Sequence, residues 1–109
     1  MNEVKYQVRL TEKAERDMDS VLQWFGDQSA ESAGAKWVAQ ILTAIDTLES
    51  LPERCGLALE SVDIGVEVRE LLVGRRRAKY CVLFQIRERT VHVLRVRHSA
   101  RDFIEKRDL

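Results

Sequence analysis

Two apolar runs, Tyr80–Ile86 and Val91–Val96, flank the polar break Arg87-Glu88-Arg89-Thr90 and make the most regular pattern in the chain. Short runs rich in β-branched and aromatic residues around a brief polar joint predict a β-hairpin. Within it Tyr80, Val82, Phe84 and Ile86 fall at every second position and would share one face. Beyond it the chain turns basic, with Arg95, Arg97, His98 and Arg101 in close succession. Positive groups carried on rigid strands can hold an anionic partner in fixed geometry, so chemistry is expected near this end.

The earlier chain supplies the partners of that hairpin. Val4, Tyr6, Val8 and Leu10 alternate with Lys5, Gln7 and Arg9, the period of a strand with one buried face. Thr11 stands where a helix N-cap belongs, followed by Glu12 and Glu15 in the first turn, where the dipole favours negative charge. Ala14, Met18, Val21, Leu22 and Phe25 recur at helical spacing, and Gly26 is placed to end the helix in a left-handed conformation. A second helix is expected from an N-cap at Ser29, with Ala33, Trp37, Ile41, Ala44, Ile45 and Leu48 as its stripe and a limit near Leu51-Pro52. The short joint makes the two helices an antiparallel hairpin. Trp24 and Trp37 read as core or helix-contact residues.

Glu53 to Gly65 has no period and reads as an irregular connection. Val66–Val73 is the next predicted strand, Gly74-Arg75-Arg76-Arg77 its turn, and Phe103–Leu109 a frayed end or a last helical turn. The order β-α-α-β-β-β predicts an α+β fold in one domain over residues 1–109. It comprises an N-terminal strand, the two-helix hairpin and a three-stranded antiparallel meander, with helices on one face of the sheet and the other face partly open.

Composition changes the picture in one respect. The 109 residues have a formal net charge of zero, yet residues 1–65 carry 6 Lys and Arg against 12 Asp and Glu, and residues 66–109 carry 12 against 6. Neutrality is thus a cancellation between halves, and the second half can present a basic surface to phosphate or to an acidic polypeptide. A sheet edge guarded by solvated arginines is the plainer reading of the same residues. No apolar run is long enough to cross a bilayer and Met1–Leu10 has no signal-peptide core, so a cytoplasmic location is expected, with no membrane partner. Cys55 and Cys81 lack metal-ligand spacing and read as reduced thiols.

The candidate chemistry lies in that basic half. Arg69 sits on a strand otherwise made of Val, Glu and Leu, either paired with a neighbouring carboxylate or free to meet a ligand. Arg75, Arg76, Arg77 and Lys79 crowd one turn and will not fold inward. Arg95 and Arg97 would point to the same face of their strand, with His98 and Arg101 following. So many cations call for a balancing carboxylate or phosphate, and Asp102 balances only one. Were the partner an RNA phosphate, arginines would stabilise charge and His98 would be the nearby group suited to act as base at neutral pH. His92, mid-strand between valines, reads as structural.

The element order, with the segments LTEKAERDMDSVLQWF, VRELLVG, YCVLFQI and VLRVRHSARD, resembles the RelE/ParE toxin superfamily of type II toxin–antitoxin (plasmid stabilisation) modules over about Tyr6 to Asp102. The resemblance implies a growth-arresting toxin neutralised in a hetero-oligomer by a cognate antitoxin with an acidic C-terminal segment, with neither metal nor cofactor. One branch of that superfamily cleaves mRNA in the ribosomal A site; the other binds and blocks DNA gyrase. The cleaving branch often has arginine directly after the strand tyrosine, where Tyr80 is here followed by Cys81, and many members end in a tyrosine where this chain has Phe103. Arg69, His98 and Arg101 stand where that branch places basic catalytic residues, while RHSARD is more like the gyrase-directed, ParE-like members. A ParE-like gyrase inhibitor is therefore expected, with the mRNA endoribonuclease as alternative and an inactive antitoxin binder as a third reading. Arg75, Arg76, Arg77, Lys79, Arg95 and Arg97 are the expected target- or antitoxin-binding residues.

Overall fold

In the computed structural model the described residues are 4–58, 61, 66–74 and 80–98, the last by its backbone alone. Arg75, Arg76, Arg77, Lys79, Arg101, Asp102 and the tail from Phe103 lie outside them. The elements are β1 (Gln7–Leu10), α1 (Glu12–Asp27), α2 (Glu31–Asp46), β2 (Arg69–Val73), β3 (Tyr80–Arg87) and β4 (Thr90–His98), with 3-10 turns at Thr47–Glu49 and Pro52–Arg54. The sheet order is β1-β4-β3-β2; β1 runs parallel to β4, and the other two pairings are antiparallel. This is the expected α+β arrangement, with a helical hairpin on one face of the sheet.

The alternation predicted for β3 decides the core. Val82 and Phe84 are fully buried toward the helices, with Tyr80 and Ile86 packed beside them, against Ala14 and Met18 of α1 and Trp37, Ile41 and Ile45 of α2. Trp37 meets the Tyr80 ring edge-on at 5.1 Å. Cys81 and Leu83 point to the other face, which is less open than expected, because Ala58 and Val68 bury there with them and Leu94 packs alongside. Trp24 is not in the core: it is 57% exposed and leans edge-on against Phe25.

Several boundaries differ from expectation for local reasons. The extended N-terminal segment changes partner: Lys5 bridges to Ser50 and Tyr6 N donates to Glu49 O, so strand pairing with β4 begins at Gln7. Gly26 lies inside α1 rather than ending it, and the left-handed residue is Ser29, with φ 55°. Ala30 N donates to Phe25 O and Ser29 N to Gly26 O, the paired bonds of a Schellman end. Ser29 therefore terminates α1 instead of capping α2, whose N-cap is Ala30 without a side-chain bond. β2 begins at Arg69, later than the alternation suggested; Val68 is instead buried under the sheet, with its N–H donated to Ser61 Oγ.

Candidate functional site

The site begins where β1 runs out. Leu10 pairs with Val93, and past that point no described strand covers this edge of β4. Unpaired strand groups need other partners, and the start of α1 supplies them. Thr11 N donates to Val93 O (3.0 Å) and Thr11 Oγ1 to Leu94 O (3.1 Å), while the same hydroxyl accepts the Ala14 N–H as the helix cap. Two turns on, Asp17 accepts from Val96 N (2.9 Å) and from Arg95 through both Nε (2.7 Å) and Nη2 (2.8 Å). Both side chains of that forked ion pair are largely buried, a geometry that fixes direction as well as charge.

Between these anchors β4 bulges. Val93 pairs with Phe84 and Arg95 with Leu83, leaving Leu94 as the extra residue. Consequently Val93 and Val96, three apart, both reach the helix-side core, while Arg97 stands opposite Cys81 on the other face and His98 opposite Tyr80. As expected, Arg95 and Arg97 share a register face, but the Arg95 guanidinium is taken by Asp17. Across the sheet Cys81, fully buried, donates its thiol to Glu70 Oε2 at 3.3 Å.

Arg69 stands at the opposite end of β2. Its Nη1 donates to the backbone oxygens of Cys55 (2.7 Å) and Glu53 (3.3 Å), so it ties down the connection after α2. That connection is a strap across the base of the helices. Arg54 holds the end of α2 through Ser50 O, Leu51 O, Thr47 O and Thr47 Oγ1. Leu51, the residue before Pro52, takes a left-handed backbone, φ 48°. The Tyr6 hydroxyl donates to the Glu53 carboxylate. That bond, with burial next, raises the Tyr6 pKa, and the same bond lowers that of Glu53. Burial pushes the neighbouring Cys55 thiol up, partly offset by Arg54 and Arg69.

Of the residues singled out from sequence, then, Arg95, Arg97 and His98 gather at the end of β4, and Arg69 is anchored to the strap that follows α2. Arg75, Arg76, Arg77, Lys79 and Arg101 lie outside the described residues. Thr11 was visible as a cap, but its second bond to Leu94, and the role of Asp17, had no signal in local spacing. Among the described residues no three His, Cys, Asp or Glu side chains come together as a metal site. A cavity of about 420 Å³ opens beside the bulge, lined by Thr11, Glu12, Lys13, Val66, Gln85, Arg87 and Leu94. No helix among the described residues is long and apolar enough to cross a membrane.

A two-helix hairpin on a mainly antiparallel four-stranded sheet is the fold of the RelE/ParE toxin superfamily. Residues 8–103 match the family model for the ParE toxin of the type II toxin–antitoxin system parDE, and the chain belongs to that family. Toxin RelE2 of Caulobacter vibrioides is 30% identical over 95 residues, covering 87% of this chain and 97% of the relative. A solved chain of the chromosomal ParDE TA system from P. aeruginosa shares the fold, with TM-score 0.70 at 18% identity, covering 86% of this chain and 96% of that one. The protein is the toxin of a type II toxin–antitoxin module.

Proposed function

We propose that this toxin arrests growth by ParE-like inhibition of DNA gyrase, and that the basic end of β4, with Arg97, His98 and the later Arg101, meets the target. The observation that carries this reading is that Arg69, which a phosphate-cleaving site would need free, has a donor committed to the backbone, while Arg95 of the expected binding set is also taken. Arg69 is held by the carbonyls of Glu53 and Cys55, and Arg95 by Asp17. Charge stabilisation of a reacting phosphate requires donors aimed at the oxygens where charge develops, and donors already bonded to protein oxygens are not so aimed. The family match is to ParE. The cognate antitoxin, in this reading, lays an acidic C-terminal segment on the basic half of the toxin, where Arg75, Arg76, Arg77 and Lys79 also lie, in a cytoplasmic hetero-oligomer.

The 30% identity to a toxin named RelE2 favours a second reading, a ribosome-dependent mRNA endoribonuclease using Arg69, His98 and Arg101. Induction in a susceptible host separates the two. Filamentation with a DNA-damage response is the expected result. Rapid loss of translation with codon-positioned mRNA cuts, abolished by His98→Ala, would replace the gyrase reading with the nuclease. Absence of either response would leave an inactive antitoxin binder.

A further inference from the structure

We infer that Asp17 is a positioning residue for the basic end of β4, acting through the Leu94 bulge; this rests on the reading that Arg97 and His98 meet the target. An unbulged ladder continuing from the Val93–Phe84 pair would set residue 95 opposite Val82 and residue 97 opposite Tyr80, both on the helix side. The extra residue reverses this, so that Arg95 faces Leu83, Arg97 faces Cys81, and Val96 fills the core position against Val82. The apolar core already opposes burying Arg95 there. What remains to be set is the direction in which the strand end leaves the sheet, since a bulge bends and twists its strand.

Asp17 is built to set it. Its carboxylate holds the first two residues after the bulge at once, Arg95 by the fork of its guanidinium and Val96 by its backbone N–H. Thr11 holds the two residues before them, Val93 and Leu94, by their carbonyl oxygens. The bulge is thus clamped on both sides by one rigid helix, and Arg97 and His98 are the next residues along the strand. Arg95, on this view, braces the site and does not itself meet the target.

The test uses the full chain, induced without its antitoxin, in wild type, Asp17→Ala, Asp17→Asn and Arg95→Lys. Asp17→Asn keeps an acceptor for Val96 N–H, and Arg95→Lys keeps the charge but loses the fork. Ile45→Ala serves as a control that weakens the core from α2 without touching the Asp17 bonds. The dose of toxin needed for half-maximal growth arrest is expected to rise about tenfold in Asp17→Ala and less in the two conservative variants, the factor by which losing a well-placed interface contact weakens binding. In Asp17→Ala, amide exchange is expected to quicken at Val96, Arg97 and His98 by about tenfold more than at Ile41 and Phe84, where it follows global stability. Ile45→Ala, at a comparable fall in Tm, should leave the dose unchanged. The inference is overturned if the dose follows Tm across all variants, or if exchange quickens at Val96 with no change in dose. Arg97→Ala and His98→Ala run alongside: full arrest in both would sink the target surface, whereas unchanged exchange in Asp17→Ala would sink the clamp.

Discussion

Thr11 carries two separable loads, and a short substitution series can weigh each. Its hydroxyl accepts the Ala14 N–H at 3.2 Å and donates to Leu94 O at 3.1 Å. Loss of an N-cap oxygen costs about 1 kcal/mol. Loss of a neutral hydrogen bond that leaves a part-buried carbonyl unmatched costs about 1 kcal/mol more. Thr11→Ala should therefore destabilise the isolated toxin by about 2 kcal/mol, a fall of about 8 °C in Tm at this chain length. Thr11→Ser keeps both bonds and should lie within about 0.5 kcal/mol of wild type. Thr11→Asp keeps the cap, but an ionised carboxylate cannot donate to Leu94 O, so about 1 kcal/mol should be lost despite the favourable dipole. Urea titrations with a common m-value give these differences directly. Equal midpoints for Thr11→Asp and Thr11→Ser would refute the bond to the bulge; equal midpoints for Thr11→Ala and wild type would refute both.

Ser29→Gly should raise stability by about 1 kcal/mol, read from the urea midpoint, because a left-handed backbone costs a Cβ-bearing residue and not glycine. Gly34→Ala should lower stability by about 1 kcal/mol, overpacking outweighing helix propensity, since its Cβ would meet Phe25 Cβ at 3.0 Å and Leu22 Cδ2 at 3.4 Å. Gly26→Ala, within α1 and with nothing inside 4 Å of its Cβ, should do the reverse in the same titration. Tyr6 should titrate late in ultraviolet absorbance, and the late component should vanish in Tyr6→Phe. Its pKa is raised on folding, so its contribution to stability is present below the ordinary tyrosine value and lost as pH rises through the folded one. Glu53 is the converse: its pKa is lowered, so its contribution is present above the ordinary glutamate value and lost as pH falls through the folded one.

The layers of this fold were legible because period and burial coincide. Tyr80, Val82, Phe84 and Ile86 alternate in the chain and line one face of β3, and Met18, Trp37, Ile41 and Ile45 fall on helical stripes and pack there. Thr11 announced its helix by residue type and by the glutamates after it. Ser29 was misread because serine is both a good N-cap and a tolerable left-handed residue, and the Schellman bonds that decide between these roles are set by where α1 ends. The bulge at Leu94 was illegible for another reason. Val91–Val96 is apolar at most positions, so a slip of phase leaves no mark in its hydrophobic pattern, and only the helix that clamps it marks the place.

The same limit governs the arginines. Nothing in their residue type marks Arg69 and Arg95 as the residues that hold a strap and a bulge, because Asp17 lies 78 positions from Arg95 and the Glu53 carbonyl 16 from Arg69. Cys81 is the instructive counter-case, since a single local departure, a thiol where the cleaving branch often has a cation, proves to be embedded in its surroundings. Its side chain is fully buried beside Val68 and Leu83, and its thiol is matched to Glu70. A guanidinium could not occupy that space without opening the cluster or leaving a charge to be desolvated, at a cost of several kcal/mol. Cys81→Arg should therefore unfold this face of the sheet, with thermal denaturation as the measure. A Cys81→Arg variant with the melting temperature of wild type would refute that packing argument.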